Sequence, residues 1–380
     1  MVRSFTFSRS SWQKWILLLV LSGMAVMWIM PVSASPATDW FDKGNSSYYA
    51  GRFDEALLAF NKSLELNPDS AVAWTGKGNA LNWLGHYDEA LFAFNKSLGL
   101  NPDSAAAWSG KGSALAGLDR YDDALLAFNK SLEINPGAAR IWKFKGNLLN
   151  MLDRNNEAVA AFNKALELNP DYIDALNDKG ITLYKLGRGS EALAAYNKSL
   201  ELSPGFINAL ENKALLLDAM GQYDEALVFS DRALGANQNS SYAWNSKGNA
   251  LANLTRYNEA LAAYDHATGG PVDSEVYYNR GRSLTALGRY ADAVSSFDTA
   301  LGAKPNLTAA QVTEVQVARK SALQKQNPAQ QTSSSPAMTS AAPGQTPQQT
   351  KTAPLTYAPV SAIVLMAGIA IWVRRRNSPP

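Results

Sequence analysis

A stretch of 34 residues recurs along this chain and constrains its fold more than any other feature. The copy at residues 71–104 reads AVAWTGKGNALNWLGHYDEALFAFNKSLGLNPDS, and variants of it fill residues 37–307. A fixed period of this length is typical of proteins built from stacked repeats. One such unit cannot bury its apolar side chains alone, so neighbouring units must supply the core. The sequence therefore predicts a shape more strongly than it predicts a ligand.

The period divides the chain into eight units. They are residues 37–70, 71–104, 105–138, 139–172, 173–206, 207–240, 241–273 and 274–307. Within each unit, apolar residues recur at helical spacing in two segments that a turn separates. A small residue such as Gly78 lets two helix backbones approach, and large side chains such as Trp74 and Phe94 fill the space around that contact. Each unit is predicted to be a helix-turn-helix pair, and the chain an all-α solenoid.

Five positions of the unit keep one residue type in most copies. A Trp near the start is found at Trp40, Trp74, Trp108, Trp142 and Trp244. A Gly follows at Gly44, Gly78, Gly112, Gly146, Gly180, Gly248 and Gly281. The turn is followed by Tyr87, Tyr121, Tyr223, Tyr257 and Tyr290. The second small position is Ala56, Ala90, Ala124, Ala158, Ala192, Ala226, Ala260 and Ala293. The closing Pro is Pro68, Pro102, Pro136, Pro170, Pro204 and Pro305.

This pattern resembles that of the tetratricopeptide repeat family over residues 37–307. The resemblance implies a right-handed α-solenoid of eight repeats, with peptide ligands lying on an inner surface that the first helices line. Residues 308–326 are rich in Ala, Val, Gln and Lys, and we expect them to form a helix that caps the last unit.

The sixth unit departs from the pattern at three positions. Ala214 replaces the Gly, Ser230 replaces an aromatic residue, and Gln238 replaces the Pro. We expect the junction at residues 235–240 to be the weakest interface of the stack, although neighbouring residues could equally absorb the three changes.

The charge of the repeats argues against a nucleic-acid ligand. The chain carries a net charge of +2, but residues 1–36 contribute +3 and residues 314–380 contribute +6, which leaves −7 for residues 37–313. An acidic body is a poor partner for phosphate backbones.

Catalytic and metal-binding residues are scarce. The chain has no Cys, and its two His residues are His86 and His266. No phosphate-binding loop, nucleophile elbow or metal-ligand spacing occurs. The sequence therefore predicts a protein that is not an enzyme and that holds neither cofactor nor metal.

Both ends carry apolar segments. Residues 1–14 are basic, residues 15–30 are apolar, and small residues precede Ser35, so residues 1–34 are predicted to be a signal peptide. An uncleaved signal anchor is the alternative. At the other end, residues 327–354 form a Pro-, Gln-, Ser- and Thr-rich linker that is predicted to be disordered.

Residues 355–373 then supply an apolar stretch long enough for a transmembrane helix, followed by a basic end at residues 374–380. Three Arg residues favour a cytoplasmic C-terminus, which predicts a single-pass membrane protein with extracytoplasmic repeats. The alternative is a sorting signal that a transpeptidase processes, although no clear recognition motif precedes the apolar stretch.

The family resemblance selects the candidate groove residues. Matching ladder positions are Asn45, Asn79, Asn147 and Asn249. An Asn amide both donates and accepts, so these residues could hold an extended peptide backbone. Aromatic neighbours are Phe41, Tyr48, Tyr49 and Trp83, and basic neighbours are Arg140, Lys143 and Lys185. Acidic neighbours are Asp174, Asp178 and Asp218. Because Asp178 occupies a position where one branch of the family binds a terminal carboxylate, we do not expect that specificity here.

Two further residue sets recur with the repeat. Asn-x-Ser/Thr triplets, which are glycan acceptor candidates on an exported chain, occur at Asn45, Asn61, Asn95, Asn129, Asn197, Asn239, Asn253 and Asn306. A basic residue precedes each small position, at Lys43, Lys77, Lys111, Lys145, Lys179, Lys213, Lys247 and Arg280. The triplets could instead be copied packing residues. The basic row could bind an anionic polymer, but packing of its aliphatic stems is favoured.

These observations together predict a surface-displayed, membrane-tethered scaffold that binds a peptide or protein segment. One alternative is a glycosylated spacer of the cell envelope, and another is a non-catalytic accessory subunit of an envelope enzyme.

Overall fold

The computed structural model describes residues 35–270, 273–303 and 307–326, and within them the chain forms 17 α-helices and no strand. The predicted signal peptide, linker, transmembrane helix and basic end, at residues 1–34, 327–354, 355–373 and 374–380, lie outside the described residues. In the described part, no helix combines the length and the apolar character needed to cross a bilayer.

Sixteen of these helices form eight antiparallel pairs. The first helices are α1 (Pro36–Tyr49), α3 (Ala71–Leu84), α5 (Ala105–Gly117), α7 (Ala139–Met151), α9 (Ile173–Lys185), α11 (Ile207–Ala219), α13 (Ser241–Asn253) and α15 (Asp273–Ala286). The second helices are α2 (Phe53–Leu66), α4 (Tyr87–Leu100), α6 (Tyr121–Ile134), α8 (Asn155–Leu168), α10 (Gly189–Leu202), α12 (Tyr223–Ala236), α14 (Tyr257–Ala267) and α16 (Tyr290–Gly302). The last helix is α17 (Ala309–Gln326).

A glycine facing an aromatic ring fixes the distance between the two helices of a pair. A Cβ built on Gly146 of α7 would lie 2.7 Å from Cε1 of Phe162 in α8, too close for any real side chain. Phe162 itself is fully buried. Close packing of a ring onto a bare backbone explains why glycine recurs at this position.

The sixth helix pair packs closely without a glycine-to-ring contact. Ala214 of α11 carries a methyl group, and α12 offers Ser230 in place of the ring. Both residues are fully buried, and the Ser230 hydroxyl donates a hydrogen bond to the Ala226 carbonyl at 2.8 Å. The smaller partner makes room for the added methyl group, and the aromatic residue moves one position earlier, to Phe229.

Neighbouring pairs are joined by recurring hydrogen bonds. The indole of Trp74 donates to the Pro68 carbonyl at 2.8 Å. The sixth junction keeps this bond, because Trp244 donates to the Gln238 carbonyl at 2.8 Å. Proline is therefore dispensable for this bond, since only its carbonyl takes part.

The turn between the two helices of a pair requires a left-handed residue in every unit. Gly85 adopts φ 81° there, and other units also use glycine. Asp119, Asp153 and Thr255 adopt φ values of 58°, 56° and 61° at the same position. A β-branched residue is strained in this region, so Thr255 marks a locally suboptimal turn.

Helix α17 covers the last pair. Val315 and Ala322 are buried against Phe297 and Ala300 of α16. These apolar contacts give the final unit the neighbour that every other unit has.

Candidate functional site

The first helices form the inner layer of the stack. Consecutive first helices contact one another directly along much of the chain, for example α3 with α5 and α11 with α13, whereas contacts between consecutive second helices are sparse in the described residues. Helices that approach more closely lie on the shorter, inner side of a curved array. This inner face therefore carries the residues that the family resemblance selected.

In units one to four, the ladder asparagines lie at the surface of the inner face. Asn45, Asn79 and Asn147 are each half-buried. Arg140, near the end of this region, is exposed, and its guanidinium lies 5.9 Å from the ring centroid of Phe144. The first half of the inner face thus presents amides and aromatic rings.

An aromatic group borders the ladder in units one and two. The rings of Phe53 and Trp83 stack with centroids 4.9 Å apart, and the Trp83 indole donates to the Tyr48 hydroxyl at 2.7 Å. Tyr49 contacts Tyr48 edge to face and is 86% exposed. Phe41 lies behind this group, 5.9 Å from the Phe60 ring. A fixed set of rings with one exposed member is suited to apolar contact with a ligand.

One of the three predicted basic residues of the groove is neutralised by an acid. Lys143 is buried, and its Nζ lies 3.2 Å from a carboxylate oxygen of Asp178. Burial is the largest influence on Lys143 and by itself would lower its pKa, but the attraction of Asp178, Tyr172 and Asp174 and the hydrogen bond to Asp178 together raise it. This ion pair includes Asp178, the residue that the family resemblance placed at a carboxylate-binding position. Lys185 is half-buried, and burial lowers its pKa.

In units five to eight, side chains of the inner face bond to one another across the unit junctions. Asn212 donates to Asn177 at 3.0 Å, Asn253 to Asp218 at 2.9 Å, and Asn245 to Glu275 at 3.1 Å. The fourth ladder residue, Asn249, is only 3% exposed. Its side-chain oxygen accepts hydrogen bonds from Tyr264 and Asn279, both at 2.9 Å.

The structure thus places Asn249 inside the stack, and not with the accessible members of the ladder. Its side-chain oxygen already accepts hydrogen bonds from residues of the seventh and eighth units. Asn249 therefore cannot bind a peptide backbone in this conformation. The repeat spacing alone gave no sign of this difference.

Two acids are buried within this bonded region. Asp218 is 4% exposed, and burial raises its pKa to about 7, against the opposing effect of the Asn253 hydrogen bond. The negative charge of Glu275 adds to the increase. Burial also raises the pKa of Glu275, against hydrogen bonds from Asn245 and Asn249. Asp218 was predicted to line the groove, but it is buried. The apolar residues that precede it in the sequence were the available signal of that burial.

The recurring basic row has a structural role in most units. Nζ of Lys77, Lys145 and Lys247 lies 5.2, 5.1 and 5.3 Å from the ring centroid of the Trp three residues earlier. Arg280 pairs with Asp265 at 2.9 Å. These contacts favour the packing interpretation over a polyanion-binding ridge.

The glycan triplets fall in two environments. The Ser of several triplets is buried and bonds to the first helix of its own unit, as in Ser97, whose hydroxyl donates to the Ala71 carbonyl at 2.8 Å. Among the acceptors, Asn95 and Asn239 are exposed, and Asn45, Asn61, Asn129, Asn197 and Asn253 are half-buried. Asn306 lies outside the described residues. Glycan occupancy stays a prediction.

No group of three or more acidic or His side chains in the described residues is arranged to hold a metal ion. Two crevices are lined mainly by residues of second helices, one between units three and four and the other between units five and six.

Known family profiles match most of the repeat region. Tetratricopeptide repeat profiles match residues 37–70, 84–139, 146–187, 183–254, 241–269 and 274–307. A search of curated proteins gave no match.

Several solved structures are similar to this chain. One chain of the Cut9–Hcn1 hetero-tetramer of the APC/C is 18% identical to this chain with a TM-score of 0.54, and the match covers 75% of this chain and 55% of that one. A tetratricopeptide repeat protein from Parabacteroides merdae is 16% identical with a TM-score of 0.48, over 76% of this chain and 98% of that one. YrrB, described as a repeat protein with an unusual peptide-binding site, is 25% identical with a TM-score of 0.43, over 50% of this chain and 97% of that one.

The helix pairs, the glycine-to-ring contacts and the matches over most of the repeat region lead to one conclusion. This chain belongs to the tetratricopeptide repeat family.

Proposed function

We propose that this protein is a scaffold that binds an extended peptide segment of another protein along the inner face of units one to four. The observation that carries the proposal is the contrast between the two halves of that face. Asn45, Asn79 and Asn147 are partly accessible, whereas Asn249 is buried and bonded within the stack.

The chemistry of this half suits a backbone-directed contact. Each ladder amide offers an N–H donor and a carbonyl acceptor, which match the groups of an extended peptide. Tyr49 and Trp83 add apolar area beside the ladder. The ladder and its aromatic neighbours carry no charge in units one to three, so the favoured ligand there is neutral or apolar.

We further propose that the scaffold is tethered to a membrane with its repeats outside the cytoplasm. Support comes from the apolar stretches at residues 15–30 and 355–373 and from the three Arg residues that follow the second stretch. Protease treatment of intact cells should digest the repeats, and alkaline extraction should leave the protein in the membrane fraction. Release by alkaline extraction would contradict the tether.

The groove is tested with matched variants of the full-length protein. Asn79→Ala with Asn147→Ala removes two ladder amides, and Asn95→Ala with Asn163→Ala removes two exposed amides from the second helices of the same units. Circular dichroism confirms that both variants are folded. Each protein is used to select from a displayed peptide library and to capture partners from an envelope extract.

We expect the ladder variant to lose the selected peptides and the captured partner, and the control variant to keep both. Equal binding by the two variants would overturn the inner-face site. If the folded wild-type protein selects no peptide and captures no partner, the spacer function replaces the scaffold.

A further inference from the structure

The sixth unit opens a crevice on the side of the stack opposite the inner face. Its walls come from α10, α11 and α12, and its volume is about 280 Å³. The lining residues are Asn197, Leu200, Glu201, Lys213, Phe229 and Arg232. No part of the proposed peptide groove contributes to this surface.

The sequence changes in this unit decide which side chains line the crevice. With Ser230 in the ring position, the aromatic residue of α12 is Phe229, one residue earlier. One residue corresponds to about 100° around a helix, so the ring leaves the space between the paired helices and faces α10. Phe229 is half-buried there and packs against the apolar cluster that contains Leu200 and Leu210. Leu210 itself stands where other units place a Trp.

Two cations flank the displaced ring. Nζ of Lys213 lies 3.7 Å from the Phe229 centroid, and the guanidinium carbon of Arg232 lies 4.9 Å from it. Lys213 belongs to the recurring basic row, but its own helix offers no Trp to cover it. Both cations therefore make cation–π contacts with the same ring, which brings two positive charges close together.

In the described part of the chain, the hydrogen bonds of these two cations go to neutral oxygen atoms. Lys213 donates to the side-chain oxygen of Asn197 at 2.6 Å, and Arg232 donates to the Pro204 carbonyl at 3.1 Å. Within the described residues, neither forms an ion pair with a carboxylate, whereas the next basic residue of the row, Lys247, pairs with Asp231 at 2.7 Å. The carboxylate in the lining, Glu201, bonds to Lys198 at 3.3 Å.

The pKa of Lys213 is lowered, which agrees with a cation that has no carboxylate partner beside it in the described residues. Burial, and after it the positive charge of Arg232, lower the pKa of Lys213, while the negative charge of Glu225 acts in the opposite direction. An incoming anion would relieve that repulsion and gain charge-assisted hydrogen bonds from both residues.

We propose that this crevice binds the carboxylate of an acidic side chain on a protein partner, with Lys213 and Arg232 as the donors. Leu200 and Phe229 provide an apolar wall for the methylene groups of that side chain. The site is independent of the peptide groove, so it stands or falls separately from the proposed function.

The test uses the full-length protein, made in a host without N-glycosylation because Asn197 belongs to a glycan triplet. The probe is a fluorescent tetraglutamate peptide, and tetraglutamine is its neutral counterpart. Because residues 37–313 carry −7, nonspecific attraction of an acidic peptide to the repeats is disfavoured. Binding is followed by fluorescence anisotropy at two salt concentrations.

The variant Lys213→Gln with Arg232→Gln removes both donors. The matched control is Lys145→Gln with Arg154→Gln in the crevice of about 370 Å³ between units three and four. There Arg154 already pairs with Glu157 at 2.7 Å. We expect the first variant to bind the acidic peptide at least about tenfold more weakly, and the control to bind as wild type does.

A third variant tests the charge imbalance without any ligand. Asn197→Asp places a carboxylate beside Lys213, and we expect a higher Tm that high salt removes, together with loss of peptide binding. Equal weakening by both double variants, or no rise in Tm for Asn197→Asp, would overturn the site. Binding of inorganic phosphate without binding of the peptide would overturn the assignment to a protein partner.

Discussion

Asp218 offers the sharpest test of the buried polar region between units six and seven. It is 4% exposed, one carboxylate oxygen accepts from Asn253, and the other has no hydrogen-bond partner. Its pKa is raised from 3.8 to about 7. A raised acid pKa means that the native state is favoured when the group is protonated, so this contribution to stability is present at low pH and is lost as pH rises through about 7.

The magnitude follows from the size of the shift. Above neutral pH the buried charge costs at most about 4 kcal/mol. Asp218→Asn removes that charge but buries an amide N–H without an acceptor, which costs about 1–3 kcal/mol. We therefore expect the variant to be more stable than wild type by about 1–3 kcal/mol at pH 8, and to lose that advantage at pH 4.

Thermal unfolding at both pH values measures this difference, with Asp224→Asn on the exposed first turn of α12 as the control. The difference in Tm between Asp224→Asn and wild type should have the same sign at both pH values, because Asp224 is exposed. An Asp218→Asn variant whose difference in Tm from wild type is the same at pH 4 and pH 8 would refute the reasoning.

Three further predictions concern the repeats. Thr255→Gly should raise the Tm through about 1 kcal/mol of relieved backbone strain at φ 61°. Gly146→Ala should cost about 1–3 kcal/mol because its Cβ meets Phe162, whereas Gly99→Ala, which meets no atom within 4 Å, should stabilise the protein in the same unfolding assay. Amides at residues 235–240 should exchange hydrogen faster than those of other junctions, and equal protection would contradict the weak junction.

The sequence by itself determined the helix pairs and the interior between them. Glycine and ring positions recur in each unit because the contact that they make lies within one helix pair, so each copy repeats the same local solution, as at Gly146 and Phe162. The turn position was visible in Gly85, and the same backbone conformation is imposed on Thr255.

Only the tertiary structure decided which inner-face residues remain accessible. Asn79 and Asn249 occupy equivalent positions, yet Asn249 bonds to Asn279 thirty residues later and is buried. Lys143 is likewise neutralised by Asp178 in the following unit. These pairings depend on which side chain the next unit presents across the junction, and the repeat period carries no information about that match. Accessibility on the inner face is therefore a property of neighbouring units together.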